Sequence, residues 1–181
     1  MRNVVHILGW VGGDPIASYL RAPAEHTETR VRSEVVAVLS QVDRDASRPI
    51  LMSMLKSAEP QLFATILQQL AAGDHPSVAE KLLELLRDDT LVGRSEEERR
   101  ALFLALATRG DAVVPTLEAE LNEGGLFSRR PEPDRRGIAL CLARIGTPAA
   151  RAILQRGLRS NRGSVRKACL IAGASEAASD E

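Results

Sequence analysis

The sequence predicts an all-α fold, an α-α superhelix (solenoid) of about five helical hairpins followed by a terminal helix. Three observations carry this expectation. Hydrophobic residues make up 44% of the 181 positions but aromatic residues only 3%, so the core must be Leu, Ala, Val and Ile. Such side chains suit helix packing better than a β-sandwich, which draws on Val, Ile, Thr, Tyr and Phe. Apolar residues also fall in one-sided stripes at helical spacing. Val31, Val35, Val38, Leu39 and Val42 stand at i, i+4, i+7, i+8 and i+11, and Val78, Leu82, Leu85 and Leu86 repeat the pattern. Finally, an apolar run ending in Leu, a short break and a second apolar run recur along the chain. The anchor leucines Leu8, Leu39, Leu67, Leu106 and Leu142, with Leu170 as a sixth, are spaced 31, 28, 39, 36 and 28 residues apart. A period near thirty fits a two-helix unit.

Taken in order, the first hairpin pairs helices at 2–11 and 15–21, the second opened by Asp14 as cap and Pro15 at the first helical position. Helices follow at 30–42, 47–57, 60–72 and 76–88. Ser95 and Glu98 form a capping box at the start of the next, 96–109, with Glu96, Glu97 and Glu98 at the positive end of its dipole. The helix at 112–122 completes that unit. The last full unit holds 134–145 and 148–160, joined at Gly146-Thr147-Pro148, and a helix at 164–172 ends the pattern. Gly12, Gly73, Gly110 and Gly146 sit where a preceding helix must stop. The longer connections are 22–29, 89–95 and 123–133. No NG or DG turn separates alternating segments, so hairpin strands find no support.

These elements define one domain over 1–174, with units at about 2–29, 30–59, 60–95, 96–133 and 134–163 and a last helix at 164–172. The acidic tail 175–181 is expected to be disordered. Met1 opens inside a first helix, which suggests a C-terminal piece of a longer protein. Formal net charge is zero, yet residues 1–125 carry 13 Lys/Arg against 19 Asp/Glu, and residues 126–181 carry 11 against 5. In a repeat stack this places negative and positive charge at opposite ends.

Two segments carry a family resemblance. Leu8-Gly9, Gly12-Gly13-Asp14-Pro15-Ile16-Ala17 and Leu20 resemble the bacterial HEAT-repeat consensus, of the PBS-lyase type, and Leu142-Ala143-Arg144-Ile145-Gly146-Thr147-Pro148 is a second match. The other units agree in period and apolar pattern but lack Leu-Gly and Gly-Asp-Pro. The resemblance implies a right-handed superhelix whose second helices line the concave side. It implies no single activity, since that fold hosts scaffolds, adaptors, bilin-lyase-like subunits and some DNA-repair enzymes.

The chemistry-bearing residues are dispersed. No GxGxxG, GxxxxGK[ST], HExxH or GxSxG occurs. His6, His26 and His75 are isolated, and Cys141 and Cys169 lie in apolar runs as small core residues. The expectation is therefore a protein that is not an enzyme, without metal or cofactor. No apolar stretch reaches the roughly 18 residues of a membrane span, and the N-terminus lacks a signal-peptide pattern. A cytoplasmic monomer is expected. Its role is a protein-interaction scaffold or adaptor binding a partner on the second-helix face. Arg151, Gln155, Arg156 and Arg159 would form a basic stripe for an acidic protein segment, with Glu84 and Glu118 as acidic counterparts in earlier units. Nucleic acid is the lesser alternative, as a base-excision or DNA-binding helical-repeat module, and a lyase-like accessory subunit is the other. Five dispersed aromatics, with Trp10 and Tyr19 in the acidic half, do not favour a base-stacking groove.

Overall fold

The structure, a computed structural model, describes residues 16–73, 75–88, 91, 93–123 and 132–177. The expected helix 2–11, its Asp14-Pro15 cap, most of the loop 123–133 and the end of the tail lie outside the described residues. The regular elements among them are all helical, with ten α-helices and no strand in the described residues. The chain divides into two compact units, Met1–Val78 and Ala79–Glu181.

The first unit contains α1 (Ile16–Ala24), α2 (Thr29–Leu39), α3 (Arg44–Met54) and α4 (Pro60–Ala71). Alternate helices stack: α1 packs on α3 and α2 on α4, while consecutive helices close hairpins. The predicted stripe is the reason. Val31, Val35, Val38 and Leu39 are all buried, as are Leu62, Phe63, Ile66 and Leu67 of α4, whereas Val42 of the predicted stripe lies past the end of α2 and is only half-buried. α3 starts three residues before the predicted 47, because Asp43 caps it, accepting from the amides of Asp45 (2.9 Å) and Ala46 (3.1 Å). Pro49 lies inside the helix. Likewise α1 runs through Pro23 to Ala24, both buried, rather than ending at 21. A cap and burial outweigh what one proline costs a helix.

Helix α5 (Pro76–Arg87) carries the boundary between the units. The second unit then holds α6 (Glu96–Ala107), α7 (Val114–Asn122), α8 (Glu132–Ile145), α9 (Pro148–Leu158) and α10 (Gly163–Ala177). Here α6, α8 and α10 form one layer, α7 and α9 a second, and α8 touches both. The Ser95–Glu98 capping box is present: Ser95 N donates to Glu98 Oε2 at 2.9 Å and Glu98 N to Ser95 Oγ at 3.2 Å. A 3₁₀ turn at Gly110–Val113 replaces the first turn of the predicted 112–122 helix, and Gly110 takes φ +57° there. Gly146 takes φ +65° at the predicted stop of α8.

Two other glycines set how closely helices approach. A Cβ on Gly137 of α8 would collide with three ring carbons of Phe103 on α6, and one on Gly157 of α9 would strike Cys169 Sγ on α10. Leu39, Leu67, Leu106 and Leu142 are at most 1% exposed, as seam residues should be. Leu170 departs from the pattern: it is 58% exposed. α10 also continues to Ala177, beyond the predicted 172.

Candidate functional site

The features with chemical potential are few, and most are structural. In the first unit a groove of about 450 Å³ lies between the α2–α3 turn and the end of α4. Its buried apolar lining is Leu39, Leu51, Leu70 and Val78. Its ionic groups are already engaged: Asp43 caps α3, Arg44 donates to the Ala72 carbonyl at 3.0 Å, and Arg48 pairs with Asp45. At the start of α4, Glu59 accepts from Thr29 Oγ1 at 2.6 Å and pairs with Arg32. The Thr29 bond, with the Arg32 charge, holds its carboxyl below the usual range. These bonds tie α2 to α4.

The second unit contains ion pairs in which the carboxylate is buried. Arg94 meets Glu98 at 2.5 Å, Arg87 meets Glu120 at 2.6 Å, and Arg99 stands 3.8 Å from Asp134. Burial pushes the Glu98 carboxyl up, but the Ser95 amide and the Arg94 guanidinium outweigh it, and the net shift is downward. Burial also raises the Cys141 thiol to about 12 and raises Cys169, so neither offers a thiolate near neutral pH. Among the described residues no group of three or more His, Cys, Asp or Glu is placed to hold a metal ion. No described helix is long and apolar enough to cross a membrane. His26 and His75 are turn residues, each accepting a backbone amide bond two positions on.

The surface left over is cationic. From Arg135, itself buried, to Ser175 the chain contains eight arginines and one lysine and no Asp or Glu. Its centre is α9. Gly146 releases the chain from α8, and Thr147 then caps α9, its hydroxyl accepting from the Ala150 amide at 3.3 Å and donating to Asp111 at 2.5 Å. Ala150, Ile153, Leu154 and Gly157 form the buried face. Arg151, Gln155 and Arg159 therefore share the opposite, exposed face. Their side chains make no hydrogen bond or ion pair with the described residues.

The other three candidates lie differently. Arg156 turns to the flank of α9 and pairs with Glu118 of α7, so these two meet each other across the point where the sequence changes charge. Glu84 is exposed on α5 and takes both oxygens to Lys81 at 2.9 Å. Sequence reasoning missed the Arg94–Glu98 pair, although its i, i+4 spacing was a visible signal. Arg87–Glu120 and Arg99–Asp134, 33 and 35 positions apart, gave none.

No family model matches this chain, and no curated protein matches it. A solved structure to which it is similar is human deoxyhypusine hydroxylase in complex with glycerol. The two share 16% identity at a TM-score of 0.40, over 97% of this chain and 89% of that one. Likeness at that level transfers no residue and no activity. It does correct one expectation. The sequence reading excluded an enzyme, but the similar structure is itself an enzyme, so helical architecture gives no ground for that exclusion.

Proposed function

We propose that this chain is a HEAT-like helical-repeat module that binds an acidic protein segment through the cationic face of α9. One observation carries the reading. Arg151, Gln155 and Arg159 stand exposed on one face of a rigid helix, inside a run of 41 residues without a carboxylate side chain. Guanidinium groups bind carboxylates in a bidentate fork. Fixed on a helix, several can act together without a loop having to order on binding. The Arg156–Glu118 pair narrows the surface, because those two groups already satisfy each other.

The test is the double charge reversal Arg151→Glu/Arg159→Glu, compared with the unaltered chain as bait in the native extract at low and high salt. Folding should survive, since exposed charges contribute little to stability. A protein partner should be retained by the unaltered chain and lost by the variant. Association should slow roughly tenfold or more, and the difference should shrink as salt screens the charges. Equal retention of the same partners by both baits at low salt would remove the reading.

A further inference from the structure

We infer that the groove between α9 and α10 receives an acidic amphipathic helix, laid where one more helix of the stack would pack. This deepens the reading above and rests on it. The geometry starts from a close approach within the pair. Gly157 of α9 lies against Cys169 and Val165 of α10, with no room there for a Cβ. A connection of four residues makes the two helices antiparallel. Each residue advances about 100° around its helix. In an antiparallel pair, the residues that follow two facing ones turn to the same side. The followers here are Leu158 and Leu170, 39% and 58% exposed. They emerge side by side, at one level along the hairpin.

Leu170 holds the place that the repeat gives to an anchor leucine, and the four such leucines described elsewhere are buried. It is a seam residue on a face that no described helix covers. Its surroundings state what could cover it. Arg151 lies two turns before Leu158 on the same side of α9, and Arg166 one turn before Leu170 on α10. Arg166 holds the hairpin turn by donating to the Ser160 carbonyl at 2.9 Å and stays exposed. No Asp or Glu occurs on α9, and none on α10 before Glu176. Two leucines flanked by guanidinium groups fit a helix with an apolar stripe bordered by carboxylates. A second copy of this face would bring cation against cation. A nucleic-acid backbone would satisfy the arginines but leave the leucines wet, so the leucines select a protein helix.

The experiment uses the full chain and two synthetic peptides of identical Glu, Leu and Ala composition. In one the leucines recur every third and fourth residue, forming a single stripe; in the other they are scrambled around the helix. Fluorescence anisotropy at low salt should show the striped peptide binding about tenfold tighter. Leu170→Ser should cost the striped peptide on the order of tenfold and leave the scrambled one unchanged. The substitution is exposed, and circular dichroism should confirm an unaltered fold. Should that variant unfold, the peptide comparison on the unaltered chain still decides. Equal affinity for both peptides, each weakened by Arg151→Glu/Arg159→Glu, would overturn the helix while leaving the cationic face intact. Binding of neither peptide would overturn the helix as well, and the capture experiment would judge the face separately. Displacement of the striped peptide by duplex DNA at the same salt would overturn both.

Discussion

Replacing Gly137 by alanine inserts one methyl group where α8 crosses α6. Built on the existing backbone, that Cβ meets three ring carbons of Phe103, a side chain only 7% exposed. Either the ring leaves its rotamer or the helices part. Overpacking of this kind costs roughly 1–3 kcal/mol. Against it stands alanine's advantage over glycine inside a helix, about 1 kcal/mol. The net expectation is a loss of up to about 2 kcal/mol. In a chain of this length that is a fall in Tm of up to about 8 °C. Gly173 is the control within the same molecule. It lies inside α10, and a Cβ there meets nothing within 4 Å. Gly173→Ala should therefore stabilise by about 0.5–1 kcal/mol. Phe103→Leu in the Gly137→Ala background should recover part of the loss, so the pair should be less than additive. Urea titration followed by circular dichroism measures these three variants and the Phe103→Leu single that completes the cycle. If Gly137→Ala stabilises the chain as much as Gly173→Ala does, the close crossing of α6 and α8 is wrong.

Other consequences are open to direct measurement. Leu106→Ala and Leu142→Ala each empty a site of 0% exposure and should cost about 2–5 kcal/mol; a change within about 0.5 kcal/mol for both would refute the repeat register. Glu98 has a carboxyl pKa below its ordinary 4.5, so its stabilising effect is complete above that value and is lost as pH falls through the depressed one. Glu98→Gln should accordingly lower stability at neutral pH and flatten the acid limb of a stability-versus-pH curve. An acid limb identical to that of the unaltered chain would show that the capping box does not carry this proton linkage.

Much of the fold was legible because helical hairpins write themselves locally. The Val31–Leu39 stripe, the Ser95–Glu98 box and the Thr147-Pro148 start each lie within a dozen residues, and each is present in the structure. Boundaries went astray at Pro23 and Pro49, where local rules signal a break but burial and the Asp43 cap prevail. The candidate surface was only partly legible. Helical phase placed Arg151, Gln155 and Arg159 together. It could not show that Arg156 reaches Glu118, because ion pairs between neighbouring hairpins depend on how far the second helices are offset. The exposure of Leu170 was hidden for a related reason: periodicity marks which face is apolar, not whether anything lies against it.

The alternation of layers has a consequence for how the chain is made. Each helix of the second unit packs against the helices one or two places away in sequence, as α8 does with α6, α7, α9 and α10. No pairing there waits for a distant segment to arrive. As synthesis proceeds from the N-terminus, α8 can close on α6 and α7, and α9 on α8, while α10 is still untranslated. Contacts of short sequence separation cost little loop entropy, and such topologies fold quickly. The order of the helices in the sequence is thus also an order of assembly, with every intermediate a shorter version of the finished unit. The surface bearing Leu158 and Leu170 forms only when α10 packs on α8 and α9, which are by then in place behind it.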